Sequence, residues 1–292
     1  MSPTFYVNYV VDGHKVGFQA DPYVAGEAEH HFRQWRIAKA VVEGTSHAAS
    51  GAPCQDYADI SELKTGNGPV LLAVVSDGAG SAAHSDVGSQ LATKTVLDLI
   101  EMHFEAGGSI ETIDRPLAAA WIDRIGHEMA KHASKHERAL RDYACTLLIA
   151  IVGEYAAAFL QVGDGAIVTS REREEDWTYV FWPQHGEFAN TTNFVVSDGV
   201  GSLFEFASMP ERVEEFALFS DGLESLVLHQ ASRSVHEPFF RSMIVPVRKT
   251  ATPGLDAKLA GDLETYLRSP RICSRTDDDK SLILASRWTR HE

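Results

Sequence analysis

The chain has 292 residues, and its 44% hydrophobic content is enough for a continuous core, which excludes general disorder. Acidic residues (41) outnumber basic ones (26), and the net charge of -15 argues against nucleic acid as a main partner. Cys54, Cys145 and Cys273 lack CxxC spacing, so neither a disulfide framework nor a structural zinc site is indicated. Because neither a signal peptide nor a membrane-spanning run is recognisable, we expect a cytoplasmic protein without membrane contact.

The N-terminal third predicts a hairpin, a strand and a loop. Residues 5–18 suggest the hairpin, since they contain an Asp-Gly pair of the kind favoured in two-residue turns. We interpret residues 1–34 as an elaboration in front of one domain that spans residues 1–292. A strand is expected over residues 35–42, followed by a Gly-, Ser- and Ala-rich loop over residues 44–53.

A buried strand and two helices are expected next. Residues 69–76 form a compact apolar run between turn signals, which is typical of a buried strand. Ser85 is the predicted cap of a helix over residues 86–104, with an apolar face at Val87, Leu91 and Leu99. A second helix is expected after Pro116, and its apolar face recurs at every fourth residue: Leu117, Trp121, Ile125 and Met129.

The C-terminal half predicts several strands in succession. Short strands over residues 145–152, 155–162 and 166–170 are separated by tight turns and are therefore expected to be antiparallel. A surface loop or flap follows, then a strand, two helices and a final strand, at residues 183–201, 213–220, 236–268 and 281–288. Strands in runs, with helices grouped between them, indicate an α+β fold.

One local pattern recurs: an apolar strand that ends in Asp-Gly, at Asp77, Asp164, Asp198 and Asp221. A single copy is explained by turn chemistry, because both residues favour turns. Several such strand ends could also place carboxylates together in one cleft, where hard cations would bind. Oxygen ligands alone favour Mg²⁺ or Mn²⁺ over zinc.

From about residue 44 to the C-terminus the chain resembles the protein phosphatase 2C group of metal-dependent serine/threonine phosphatases. Five segments carry the resemblance in order: CQDYA, AVVSDGAGS, ACTLLIAIV with FLQVGDGAIV, FALFSDGLESL and DDDKSLILA. The resemblance implies a four-layer α-β-β-α sandwich with two central antiparallel sheets. It also implies a dinuclear centre of Mn²⁺ or Mg²⁺, with a weaker third ion.

The resemblance also implies roles for particular residues. Asp77 corresponds to the carboxylate that bridges both ions, the Gly78 carbonyl to a ligand, and Asp221 and Asp278 to ligands of the other ion. Asp56 would hold metal-bound water, and Asp142 corresponds to the ligand of the third ion. Asp164 is expected in a hairpin, and Asp198 in a turn beside the flap.

Three positions depart from the family pattern. Gln55 stands where many relatives carry Glu, which weakens one metal site, and Ala79 stands where eukaryotic relatives carry a His. No Arg precedes the early acidic motif within residues 44–54, so His47 is the cationic candidate there for a phosphate or acid role.

The leading hypothesis is hydrolysis of phosphoserine and phosphothreonine in proteins by a metal-activated water, in signalling with a cognate serine/threonine kinase. One alternative is a weak or inactive phosphatase-fold module that binds phosphoproteins or regulates a partner. Another is a hydrolase of small phosphorylated metabolites.

Overall fold

A computed structural model describes residues 6–11, 14–19, 34–171, 176–184 and 192–288. Its strands are β1 (Tyr6–Val11), β2 (His14–Gln19), β3 (Trp35–Val42), β4 (Tyr57–Thr65), β5 (Gly68–Ser76), β6 (Leu147–Val152), β7 (Ala157–Val162), β8 (Ala166–Ser170), β9 (Thr178–Tyr179), β10 (Glu205–Met209), β11 (Glu215–Phe219), β12 (Leu228–His229), β13 (Ser234–Val235), β14 (Gly254–Leu255) and β15 (Lys280–Arg287). Its α-helices are α1 (Thr45–Ser50), α2 (Ser85–Glu105), α3 (Arg115–Lys135), α4 (Val200–Leu203), α5 (Glu224–Val227), α6 (Glu237–Lys249), α7 (Ala257–Leu267) and α8 (Pro270–Cys273).

Two large sheets form the centre of the molecule. The five-stranded sheet has the order β10-β7-β6-β5-β4 and is antiparallel throughout. The six-stranded sheet has the order β14-β3-β15-β11-β8-β9, and only its short edge strand β14 runs parallel to its neighbour β3. The α+β prediction is confirmed, with that edge pair as a departure from fully antiparallel sheets.

Alternation along the buried strands produces four layers. In β5, Leu71, Ala73 and Val75 pack in the core between the sheets, whereas Leu72 and Val74 pack in the core shared with α2 and α3. The central strand β15 alternates in the same way between the inter-sheet core and the core shared with α6 and α7. Side chains alternate across a strand, so strands buried on both faces need helices outside each sheet.

The two long helices, α2 and α3, match their predicted caps and apolar faces to different degrees. α3 has Asp114 as N-cap, which accepts a 2.9 Å hydrogen bond from the Leu117 backbone N–H, and it buries the predicted apolar face. In α2 the predicted cap is wrong, because Ser85 is already helical and its hydroxyl donates to the Ala82 carbonyl instead. The predicted stripe of α2 lies on its flank, and the buried face contains Ala92, Val96 and Ile100.

Other differences concern how strands connect. β7 and β8 do not pair, because they belong to different sheets, so the Gly163-Asp164-Gly165 segment crosses between the sheets instead of closing a hairpin. The predicted loop over residues 44–53 contains α1. The strands β4 and β10 were not predicted, and neither were the two-residue strands β9, β12, β13 and β14.

The N-terminal hairpin is confirmed by the antiparallel pairing of β1 with β2, although its turn lies outside the described residues. So do most of the predicted N-terminal elaboration and part of the predicted flap. All three cysteines are free. Within the described ranges, no helix has the length and apolarity needed to span a bilayer.

Candidate metal centre

Carboxylates from four separate segments meet at one cavity of about 190 Å³. Asp77 follows the end of β5, Asp221 follows β11, Asp278 precedes β15, and Asp164 lies where the chain crosses between the sheets. The other residues that line the cavity are small or neutral: Gln55, Gly78, Ala79, Gly80, Ser81, Thr146, Thr192 and Phe194. The structure therefore brings together five of the residues predicted for the metal sites: Asp77, Gly78, Asp221, Asp278 and Gln55.

The backbone of Asp77 is fixed by Thr146, the residue immediately before β6. The Asp77 N–H donates to the Thr146 hydroxyl at 3.0 Å, and the Thr146 N–H donates to the Asp77 carbonyl at 2.8 Å. The hydroxyl of Ser76 donates to the Thr146 carbonyl at 2.6 Å. These three hydrogen bonds hold the carboxylate at a strand end whose direction is set by the buried sheet.

Gly78 is required by the close approach of α2. A Cβ on Gly78 would lie 2.7 Å from the Cβ of Ser85, a contact that real side chains do not make. The Gly78 N–H donates to the Gln55 carbonyl at 3.1 Å, and the Ser89 hydroxyl donates to the same carbonyl at 2.6 Å. The early acidic motif is thereby joined to the Asp-Gly motif, with the Oε1 atom of Gln55 buried and without a partner in the described structure.

Asp56 is buried next to the cavity, with 6% of its surface exposed. Its Oδ2 atom accepts a 2.7 Å hydrogen bond from the Ser220 hydroxyl, which itself accepts one from the Ser281 N–H at 3.0 Å. Its Oδ1 atom has no partner in the described structure. A buried carboxylate oxygen without a donor is costly, so this position suits an oxygen that faces a water or a cation.

The grouped carboxylates disturb each other's ionisation. Burial raises the pKa of Asp56 to about 7, with the charges of Asp279 and Asp221 adding to the effect. Burial also raises the pKa of Asp77 well above its usual value and that of Asp221 to about 6. Each shift reports that negative charge is disfavoured in this cluster as long as no cation balances it.

Asp279, just before β15, connects the last acidic motif to the early one. Its Oδ1 atom accepts a 2.6 Å hydrogen bond from the Gly44 N–H, and its Oδ2 atom accepts one of 2.6 Å from the Gln55 N–H. Nδ1 of His47 lies 2.9 Å from the same Oδ2 atom. The buried Nζ of Lys280 donates to the Asp278 carbonyl at 2.6 Å and fixes the backbone of Asp278. Asp279, the next residue, holds the early acidic motif.

Besides Asp56, which is buried next to the cavity, two further predicted site residues do not line it, namely His47 and Asp142. His47 lies in α1 beside Asp279, and Asp142 lies in a 3₁₀ turn (Leu140–Tyr143), where its carboxylate accepts from the Ala139 N–H at 3.2 Å. The Asp142 carbonyl accepts from the His84 N–H at 2.8 Å. Their predicted roles as acid or phosphate ligand and as third-ion ligand stay predictions.

The sequence prediction missed Asp164 and Asp279. Asp164 lines the cavity, accepts a hydrogen bond from the hydroxyl of Thr192 and raises the pKa of Asp221 through its charge. The Asp-Gly pattern at a strand end indicated a possible ligand at Asp164, but the hairpin expected there placed Asp164 outside the predicted metal site. Asp279 could not be separated from its two acidic neighbours by spacing alone, because its partners lie more than 200 residues away.

The donor set fits divalent cations. Every polar side chain that lines the cavity in the described ranges presents oxygen, and none is Lys, Arg or His. Asp56, Asp221 and Gln55 have buried oxygen atoms without hydrogen-bond partners there. No three His, Cys, Asp or Glu side chains of the described residues already surround one point as metal ligands. Mg²⁺ and Mn²⁺ complete their shells with carbonyls and water, so few carboxylates per ion are sufficient.

Three comparisons place the chain among known proteins. A family model described as protein phosphatase 2C matches residues 43–264. The curated Serine/threonine-protein phosphatase 3 of Escherichia coli (strain K12) is 32% identical over 252 residues, which cover 86% of this chain and 98% of that protein.

Solved structures share the fold at lower identity. The crystal structure of a bacterial serine phosphatase is 17% identical with a TM-score of 0.59, covering 88% of this chain and 99% of that one. The catalytic domain of the serine threonine protein phosphatase PstP, in complex with 2 manganese ions, is 15% identical with a TM-score of 0.56. That match covers 88% of this chain and 99% of PstP's domain.

Proposed function

This chain belongs to the protein phosphatase 2C family, and on that premise we propose that it hydrolyses phosphoserine and phosphothreonine in proteins at a centre for two divalent cations. The observation that carries the proposal is the charge of the cavity. Four carboxylates line it, and no basic side chain of the described residues does. A phosphate dianion would be repelled from such a cavity unless cations stood between the two sets of negative charge.

The proposed ligands are the residues at the strand ends. The two ions would be held by the carboxylates of Asp77, Asp221 and Asp278, by the Gly78 carbonyl and by Gln55. Asp142 is proposed for a weaker third ion. Mn²⁺ or Mg²⁺ bound there would lower the pKa of water towards neutrality and would neutralise charge on the phosphoryl oxygens.

The chain's own residues position and deprotonate water in this proposal. Asp56, with a pKa of about 7 before any cation is bound, is buried beside the cavity and held at Oδ2 by Ser220. Its free Oδ1 atom is available to accept a hydrogen bond from water. His47 contacts Asp279 rather than the cavity, so we assign it a positioning role for the loop that carries Gln55.

A phosphorylated protein as substrate, a cognate kinase, a role in signalling and a cytoplasmic location all belong to this proposal. The relatives with named activities are protein phosphatases, which does not favour an inactive binding module. Hydrolysis of small phosphorylated metabolites is the alternative that a substrate comparison resolves.

Asp221→Asn tests the proposal against a matched control, Asp198→Asn. Both aspartates lie in Ser-Asp-Gly segments, but Asp221 lines the cavity and Asp198 is exposed elsewhere. We expect Asp221→Asn to lower the Mn²⁺-dependent release of phosphate from a phosphothreonine peptide by about 100-fold or more, and Asp198→Asn to leave it within about twofold.

Three outcomes would contradict the proposal. Equal turnover by the Asp221→Asn variant and the wild type would remove the metal assignment. Fewer than two Mn²⁺ ions in titration calorimetry, together with no turnover, would favour the binding module. A strong preference for sugar phosphates over phosphopeptides would replace the protein substrate with a metabolite.

A further inference from the structure

A second cavity, of about 350 Å³, lies among the helices outside the six-stranded sheet, and we call it the helical cavity. Its apolar wall contains Leu226 of α5, Phe239 of α6 and Ile272 of α8. Its polar wall contains Arg271 and Arg275, together with Tyr266 and His236. A cavity of this size is at the small end of ligand sites.

The charges of the helical cavity are not balanced. Neither Arg271 nor Arg275 forms an ion pair or a side-chain hydrogen bond with another residue that the structure describes, and no acidic residue lines the cavity. Some other surface arginines of this chain are paired, for example Arg241 with Glu237 and Arg171 with Glu211. In a chain of net charge -15, two unpaired arginines at one cavity mark a local site for an anion.

The two arginines are placed to act together. Arg271 lies in α8, and the helical turn continues past its end, because the Arg275 N–H donates to the Ile272 carbonyl at 2.9 Å. Residues four apart on a helical turn lie on the same side. Guanidinium groups bind carboxylates through paired N–H donors, and the apolar wall opposite them would favour an apolar side chain.

The helical cavity is joined to the metal centre by two short segments. The chain that carries Arg275 reaches Asp278 three residues later, and Leu226 lies five residues after Asp221. Both segments continue from a wall of the helical cavity directly into a carboxylate of the metal centre.

We propose that the helical cavity docks an acidic stretch of the phosphoprotein substrate, with carboxylates on Arg271 and Arg275 and one apolar side chain against Phe239. This inference rests on the proposed function, because it supplies that enzyme with a second contact to its protein substrate. It predicts that affinity for a protein depends on sequence at a distance from the phosphorylated residue.

The test compares Arg271→Ala/Arg275→Ala with a control, Lys64→Ala/Arg138→Ala. The control removes two exposed positive charges away from both cavities, so the change in net charge is matched. The first probe is a fluorescein-labelled, unphosphorylated peptide of alternating Glu and Leu, followed by fluorescence anisotropy. We expect the cavity variant to weaken binding about tenfold or more and the control variant about twofold at most.

The second measurement is hydrolysis of the same peptide extended by a phosphothreonine, compared with p-nitrophenyl phosphate. The cavity variant should raise KM for the peptide about tenfold, leave kcat unchanged and leave p-nitrophenyl phosphate turnover within about twofold. Thermal denaturation of all variants verifies folding, so a lost contact is distinguished from a lost structure.

Equal binding by the cavity and control variants, or no binding by the wild type, would overturn the inference. Displacement of the labelled peptide by millimolar inorganic phosphate alone would overturn the peptide assignment in favour of a small-anion site. The anisotropy measurement needs no catalysis. Peptide binding without phosphate release would therefore refute the proposed function while leaving the cavity as a peptide site.

Discussion

Two segments of this chain share the residues Ser-Asp-Gly, at positions 197–199 and 220–222, yet the structure uses them differently. The first is an exposed turn before α4, in which Gly199 has a φ of 72°. The second follows β11, in the interior of the six-stranded sheet, and its Asp221 lines the cavity of the candidate metal centre. The motif alone specifies a turn. Only Asp221 follows a strand of a central sheet, since the strand expected before Asp198 is not formed, and that strand brings its carboxylate to the others.

The glycines of the two segments should give the largest difference in stability. A Cβ on Gly222 would lie 1.9 Å from the buried Asp279 carbonyl oxygen, whereas a Cβ on Gly199 would meet only the Ser202 hydroxyl, at 3.9 Å. We expect Gly222→Ala to lower the free energy of unfolding by about 3 kcal/mol or more, through overpacking. Gly199→Ala should cost about 1 kcal/mol, the strain of its positive φ.

Urea denaturation of both variants measures these costs, and phosphatase assays should show that only the change at position 222 abolishes activity. Equal losses of stability would mean that the two turns are alike in their packing, and the comparison would fail.

The aspartates should differ in the pH dependence of the metal-free protein. Because the native pKa of Asp221 is raised from 3.8 to about 6, the native state holds its proton over a range in which the unfolded state has lost it. The free energy of unfolding therefore falls as pH rises between about 4 and 6, by about 2 kcal/mol for this half-buried group.

Chemical denaturation of chelator-treated protein across this pH range tests the effect. Asp221→Asn should reduce the fall, although Asp56 and Asp77 still contribute to it. Asp198→Asn should not reduce it, and added Mn²⁺ should oppose it by binding the ionised carboxylates. A profile that Asp221→Asn leaves unchanged would show that burial at this position does not oppose ionisation.

The serines of the two segments, Ser220 and Ser197, should give the smallest difference in stability. The Ser220 hydroxyl is buried between Asp56 and the Ser281 N–H, so Ser220→Ala leaves two buried polar groups without this partner and should cost about 2 kcal/mol. The Ser197 hydroxyl accepts a 2.9 Å hydrogen bond from the Phe194 N–H on a more exposed turn, and Ser197→Ala should cost about 0.5 kcal/mol. Thermal unfolding at neutral pH compares the pair, and a larger effect at position 197 would reverse the ranking.

Much of the fold could be predicted from sequence because its strands are buried on both faces. Residues 35–42 and 69–76 form strands within one residue of prediction, and two helices lie within residues 236–268. β4 escaped prediction because its side chains are mostly half-buried, which leaves no continuous apolar run.

The site was predictable where a residue's own neighbours determine its place. Asp77 and Asp221 were found because each terminates an apolar strand. Asp164 was not predicted as a site residue because β7 and β8 were expected to pair in a hairpin. The sheet order shows that these two strands do not pair. Local sequence cannot distinguish a hairpin from a crossing between sheets when the turn is equally short.

Asp279 also determines when the candidate metal centre can be completed during synthesis of the chain. It holds Gly44 and Gln55, and the strand that follows it, β15, fills the gap between β3 and β11. Until those late residues leave the ribosome, the Gly44 and Gln55 N–H groups lack their Asp279 acceptor and the six-stranded sheet is divided into two parts. The growing chain therefore carries most of its aspartates long before it can assemble them, and phosphatase activity is postponed until the last central strand is in place.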